Sequence, residues 1–306
     1  MPAENPVEKH KEHVVLGMSA AMGAFLMFTI MNVLAKLLSE RHSVIEISFY
    51  RNAVALIPFL IMIFAMGRRD VLVIRHKPGW VIFRAVFGTV SLATTFAAYA
   101  LMPMANTTAL LFTSSLFIPV LGIIFLKEHV GAYRWTAILV GFVGVIVMVR
   151  PSGHLYALGI SLALGAAFLQ AILQVALRYT GRYERPETVT FYFFLIGAII
   201  TAIPLPFIFV KPALGELPLL LGVGLSGAAA QWLFSTAFRN APAAIVTIFN
   251  YSGIVWATLF GWLIWNEWPL PMVLGGAAVV IVSNVLIIWR ESRVREITGD
   301  RIRAKL

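Results

Sequence analysis

The chain contains no cysteine. That excludes a disulfide framework, a thiolate metal site and a cysteine nucleophile. Charge is scarce as well. Only 12% of the 306 residues are charged, about half the ordinary share for a soluble domain. Acidic side chains number 14 against 24 basic ones, and none lies in the middle of a long apolar run. The histidines, His10, His13, His42, His76, His129 and His154, all fall in tails or connections. A membrane enzyme needs converging nucleophile, acid–base or metal-ligand groups, and Ser114 and Ser115 have no visible base. Enzymatic chemistry, a metal site and a cofactor are therefore not expected.

The formal charge of +10 points to nucleic acid only when basic residues share a folded, exposed face. Here they stand in short patches between apolar runs, so no nucleic-acid partner is expected. What fills the sequence is hydrocarbon, 60% of its residues being hydrophobic. The opening MPAENPVEKHKEH is polar and mixed in charge, without an apolar region leading to a small-residue cleavage site. The first apolar segment is expected to remain as a membrane helix.

A bilayer core about 30 Å thick takes roughly 20 apolar residues of helix. Runs of that kind lie near 14–38, 44–66, 79–101, 104–126, 133–149, 155–177, 187–210, 217–238, 242–265 and 271–289. A single run such as AILVGFVGVIVMV passes for a buried strand, but a whole series of near-continuous segments does not, because core strands span about 4–8 residues. Helices also close their backbone hydrogen bonds within the segment. The expectation is an all-α membrane protein of ten transmembrane helices. Most of the 24 basic residues fall on one side of that alternation, while the other side holds Arg41, Arg150 and Lys211. By the positive-inside bias both termini are cytoplasmic. Residues 1–13 and 290–306 are then short cytoplasmic tails.

The halves contain comparable runs at a shift of 139 residues, PMANTTALLFTSSLFIPVLGIIFLKEH from Pro103 and PAAIVTIFNYSGIVWATLFGWLIWNEW from Pro242. Pro103 and Glu128 are spaced like Pro242 and Glu267, and Gly88 maps onto Gly227. This reading gives two five-helix units, 14–149 and 150–289. An odd number of crossings inverts the second unit in the bilayer, an arrangement common in secondary transporters that hold substrate between repeats.

The stretch LMPMANTTALLFTSSLFIPVLGIIFLKEHVGAYRW from Leu101, FYRNAV around Arg51, the PAAI segment and NEWPLP around Glu267 resemble the drug/metabolite transporter superfamily, in its ten-helix EamA-type branch. The resemblance covers roughly residues 14–290. It implies a secondary exporter of small metabolites, similar in appearance to bacterial exporters of amino acids, including aromatic ones. A non-transporting receptor, a lipid scramblase and a carrier of nucleobase-like solutes stay open as alternatives. Where the first half has Lys127-Glu128 the second has Asn266-Glu267, so the two acidic turns need not do the same job. A small-molecule substrate and membrane lipids are the expected partners, and a monomer is consistent with the sequence.

Candidate substrate-lining residues combine rings with uncharged polar groups. They are Thr29 and Asn32 on the first helix, Phe96 and Tyr99 on the third, and Thr113 and Ser114 on the fourth. The second half offers Gln174, Gln231, Trp232, Asn250, Tyr251 and Trp256. Asn and Gln both donate and accept hydrogen bonds, and rings can border a planar or apolar substrate group. Packing and helix bridging are the alternative roles for each. Lys36 and Glu46 flank the first hairpin, where an ion pair between them is expected. Arg51 lies too far around its helix from Glu46 and should reach another helix, while Arg84 near a helix start can snorkel to the headgroups. A midplane charge costs at least about 2.5 kcal/mol, so structural pairing or gating is the expected role of these four. Without a mid-helix carboxylate, facilitated export and proton antiport both stay open. Pro58, Pro119, Pro204 and Pro206 should interrupt their helices, and the glycines within apolar runs, Gly141 and Gly144, Gly222, Gly224 and Gly227, and Gly275 with Gly276, should allow close helix approach, static or sliding. Trp262, Trp265, Trp268 and Trp289 fit interfacial belts.

Overall fold

The computed structural model describes residues 6–76, 78–126, 132–149, 156–180 and 184–303. The turn holding Lys127 and Glu128 lies outside them, as do Arg150, Arg182 and Tyr183 and the side chains of Tyr179, Trp289 and the C-terminal basic residues. Among the described residues every regular element is helical. The elements are α1 (Pro6–Leu38), α2 (Val44–Phe64), α3 (Pro78–Leu101), α4 (Met104–Leu111), α5 (Ser114–Leu126), α6 (Ala132–Val149), α7 (Ala157–Thr180), α8 (Pro186–Ala202), α9 (Leu205–Ile208), α10 (Leu217–Asn240), α11 (Ala243–Asn250), α12 (Ser252–Trp265) and α13 (Pro271–Arg303). Short 3-10 turns precede α3 and α10, at Arg69–Leu72 and Leu214–Glu216.

Seven stretches are long and apolar enough to cross a membrane, and three shorter apolar helices, Trp135–Val149, Pro186–Ala202 and Pro271–Ile287, accompany them. The outer surface has the character such segments need. Leu139, Val143 and Ile146 project from α6 with more than half their surface exposed, an apolar row that water would penalise and lipid would not.

Two expected helices are each in two pieces. The fourth breaks at Phe112–Thr113 and the ninth at Tyr251. Pro119 is not the cause, since it sits inside the continuous α5 and no proline lies within α12. Pro58 likewise sits within an unbroken α2. Only Pro204 and Pro206 mark a real interruption, between α8 and the single turn of α9. At the first break the backbone tightens locally: Thr113 N–H donates to Leu110 O at 3.0 Å, and Leu116 N–H to Thr113 O at 3.0 Å. These are three-residue spans of the 3-10 kind.

The most extensive helix pairings join an element before residue 150 to one after it: α1 with α10, α6 with α13, α3 with α7, and α2 with α8. The two halves are therefore interleaved. Between α6 and α13 the contact is backbone on backbone. A Cβ added at Gly144 would stand 2.7 Å from Gly276 O, and one added at Gly276 would stand 2.5 Å from Gly144 O. Ser283 adds a hydrogen bond to the Ala137 carbonyl.

The connection from α2 to α3 is tied to the start of α8. Asp70 accepts from Arg68 Nε at 3.1 Å and pairs with Arg185, and the hydrogen bond from Arg68 holds its carboxyl below the usual range. Glu184 accepts from the backbone N–H groups of Arg75 and His76, at 3.1 and 2.6 Å.

Candidate functional site

The ends of α1 are treated in opposite ways. Near its C-terminal end Lys36 is buried, and its Nζ donates to Glu267 Oε1 at 2.7 Å, to Glu267 Oε2 at 2.9 Å and to the Met102 carbonyl at 3.1 Å. It also stands 4.6 Å from the centroid of the Trp265 ring, within cation–π range. Glu267 Oε2 accepts in addition from Met104 N–H at 3.1 Å, an otherwise unpaired donor of the first turn of α4. One carboxylate thus ties together the end of α1, the α3–α4 junction and the end of α12.

Local sequence aims that carboxylate. Asn266 closes α12 in the left-handed conformation, φ 54° and ψ 29°, and Glu267 N–H turns back to Gly261 O at 3.0 Å. Asn is among the few residues other than Gly that adopt this conformation readily. The expected Lys36–Glu46 pair is not formed. The partner of Lys36 lies 231 residues away, and Glu46 instead faces His42.

His42 belongs to the α1–α2 connection, but it is buried. Its Nδ1 stands 3.2 Å from Glu46 Oε1 and its Nε2 3.3 Å from Glu216 Oε2. Glu216 is further held by Ala213 N–H at 2.7 Å and Arg41 Nη1 at 3.3 Å.

Toward the other end of α1 the protein opens. A cavity of about 490 Å³ runs along one stripe of that helix, from Val15 through Ser19 and Met22 to Leu26, with Phe249 of α11 and Trp256 of α12 opposite. Its walls are mainly apolar, whereas a lining of uncharged polar groups was expected. Of the candidate lining residues, Trp256 borders this cavity.

The other candidates separate into three groups. Asn32, Tyr99 and Thr108 form a polar cluster behind the closed end: the Tyr99 and Thr108 hydroxyls lie 2.9 Å apart, with Asn32 beside Tyr99. Tyr251, beside Asn284 and Ser115, meets Phe112 edge to face at 5.2 Å; the buried Thr113 and Ser114 adjoin that contact in sequence. A second group packs or bonds within its own helix. Phe96 is almost fully enclosed against Met31, Ile47 and Val223, and Thr29 donates to the Phe25 carbonyl at 2.8 Å. The third group is less enclosed. Trp232 is 65% exposed and Gln174 is also exposed, while Gln231 and Asn250 are half-buried.

Arg51 is buried and reaches α8. Its guanidinium lies 4.8 Å from the Phe194 ring and 5.1 Å from that of Phe193, and Nη1 donates to Asn52 Oδ1 at 2.9 Å. Arg84 shares Phe193 at 5.4 Å. Among the described residues neither guanidinium has a carboxylate partner; aromatic faces carry both.

His42, Glu216, Thr108 and Asn284 were not singled out from sequence. The only readable signal was the four-residue spacing of His42 and Glu46 across the helix-capping Ser43, whose side chain accepts from Glu46 N–H.

Comparison with known proteins adds the family. The EamA-like transporter family model matches twice, over residues 15–150 and 157–289. A pseudopaline exporter of Pseudomonas aeruginosa is 29% identical over 274 residues, covering 89% of this chain and 95% of its own. A riboflavin transporter of Vibrio cholerae is 28% identical over 293 residues, covering 92% and 96%. An S-adenosylmethionine uptake transporter of Rickettsia bellii is 25% identical over 282 residues, covering 90% and 95%. One crystal structure matches with a TM-score of 0.63 at 17% identity, over 93% of this chain and 99% of that one, a likeness of fold alone.

Proposed function

The chain belongs to the EamA-like transporter family, and from that membership we propose that it is a secondary carrier exporting small metabolites across the inner membrane by alternating access. Amino acids, aromatic ones included, are the proposed substrates. The carrying observation is the asymmetry of α1: its C-terminal end is locked by Lys36 and Glu267, and the stretch from Val15 to Leu26 borders an open cavity. Access from one side at a time needs such a pairing of closed and open ends.

Ten crossings follow if the seven long spans and the three shorter apolar helices all cross. The reading of two five-helix units of inverted topology is supported by the family model matching each half separately. It is also supported by the 139-residue shift, which carries α4 and the break at Phe112 onto α11 and the break at Tyr251. The lopsided placement of basic residues supports a cytoplasmic position for both termini. The locked end is then external, and the cavity faces inward.

Met18, Met22, Leu26, Phe249 and Trp256 give the cavity an apolar, partly aromatic wall. This suits solutes with an apolar or planar portion. Tyr99, Asn32, Tyr251, Thr113 and Ser114 are the proposed polar contacts deeper inside, reached once the locked end parts. Lys36 with Glu267 is the proposed outer gate, and Arg51 and Arg84 have structural pairing roles. A second reading, net uptake, is favoured by the relative named as an uptake transporter; the same gate serves flow either way.

The test is counterflow with purified protein in sealed vesicles, using aromatic amino acids, aliphatic amino acids and nucleobases, with and without a proton gradient. Aromatic amino acids are expected to compete best. Selective competition by dianionic sugar phosphates would overturn the cavity reading, and correctly inserted protein that moves no solute would overturn the carrier.

A further inference from the structure

The trio of His42, Glu46 and Glu216 is a chemical problem that the carrier reading does not use. Glu46 is wholly enclosed, at 0% exposure, on the first turn of α2. An ionised carboxylate left alone in such a place is strongly disfavoured. Its nearby groups are His42, one turn back, and Tyr50, one turn on along the same helix. Among the described residues no lysine or arginine pairs with it, since Lys36 is committed to Glu267 and Arg51 to the rings of α8.

His42 in turn has a carboxylate beside each ring nitrogen: Nε2 hydrogen-bonds with Glu216 Oε2 at 3.3 Å, while Nδ1 and Glu46 Oε1 stand 3.2 Å apart out of line for a hydrogen bond, both atoms left unsatisfied. A neutral imidazole has one N–H and one lone pair. Placed between two ionised carboxylates, it must turn the lone pair toward one of them. A single added proton, on the ring or on Glu46, removes that repulsion and supplies a donor to each side. Glu216 is the member held by other groups, through Ala213 N–H and the exposed Arg41. It remains the acceptor.

The three residues come from segments far apart in the chain. His42 and Glu46 stand at the α1–α2 hairpin, while Glu216 precedes α10, 174 residues later. We propose that His42, Glu46 and Glu216 form a proton-binding site that latches the α1–α2 hairpin to the start of α10. The proton is bound when the latch is shut. A state that binds more protons gains population as pH falls, so acid holds this end closed and alkali favours its opening. The inference adds a ligand to the proposed outer gate and depends on the carrier reading only for the consequence in transport.

The chain lacks cysteine, so a single engineered pair can be spin-labelled specifically. Labels at Glu40→Cys and Leu214→Cys, both at exposed positions, flank the latch. In substrate-free protein in lipid nanodiscs, double electron–electron resonance is expected to show a shorter, closed population rising as pH falls from about 8 to about 5.5. For one proton the open-to-closed ratio changes by at most about tenfold per pH unit. His42→Gln and, independently, Glu46→Gln should make the ratio insensitive to pH. An unresponsive parent protein, or an unchanged acid response in whichever variant folds, would overturn the site. Because no substrate is present, that failure is distinct from absence of flux in the counterflow assay.

Discussion

The segments Pro103–Thr113 and Pro242–Ser252 have nearly the same backbone and opposite surroundings. Their leading prolines have φ −55° with ψ 142° and 141°, each begins an eight-residue helix, and the residues that follow, Phe112 and Tyr251, have φ −63° and −68°. Yet 78% of the apolar stretch beginning at Met104 is buried, against 28% of that beginning at Ile245. Met104 through Leu110 are enclosed without a gap, and their first turn is held by Glu267. In α11, Phe249 instead borders the cavity. One backbone device thus serves both a packed end and an open one, and the side chains around it determine which it is.

The largest effect, on transport, should come from adding bulk to each segment's surroundings. Ala105→Trp, in the enclosed α4, should overpack the protein by at least about 1–3 kcal/mol and depress its melting temperature. Ser19→Trp, on the exposed cavity wall, should leave melting unchanged while abolishing flux in vesicles. Equal destabilisation by both would remove the distinction between the two ends.

A middle-sized effect belongs to the lock. Glu267→Ala strands a buried ammonium, a loss of about 2–3 kcal/mol once partial exposure is allowed for. Adding Lys36→Met should recover much of that, so a double-mutant cycle of melting free energies should give coupling of at least about 1 kcal/mol. Simple additivity would mean that the pair does not hold the end shut.

The smallest effect tests the meeting point of the two breaks. Tyr251→Phe keeps the ring against Phe112 and deletes only the hydroxyl beside Asn284 and Ser115. That hydroxyl makes no hydrogen bond of good geometry, so its loss should cost no more than about 0.5 kcal/mol, less than Phe112→Ala, which empties a core position at about 3–5 kcal/mol. Reversed ranking in chemical denaturation would place the coupling in the hydroxyl.

How far the sequence could be read follows from the same physics. Helices such as α3 and α10 were legible because hydrocarbon thickness fixes their length. The breaks at Phe112 and Tyr251 were not, because no proline or glycine stands at either and the polar residues beside them, Thr113, Ser114 and Asn250, read as substrate-lining groups. Facing was harder still. In a helix apolar all round, such as α10, no polar stripe marks the inward side, so Trp232 was expected inside and stands 65% exposed. The partner of Lys36 was hidden by chain distance, and the nearer Glu46 was the natural but incorrect choice. His42 was passed over as a connection residue because the sequence does not mark that this short hairpin is buried.

The bare meeting of Gly144 and Gly276 has its own consequence. With each glycine facing the other's carbonyl and the Met148 and Val279 side chains closing in beside them, the two backbones have little room to shift, and Ser283 pins the same seam to Ala137. The two helices therefore behave as one stiff plank. Any side chain larger than hydrogen at either position would prise the plank apart, so its stiffness depends on two residues of the smallest kind.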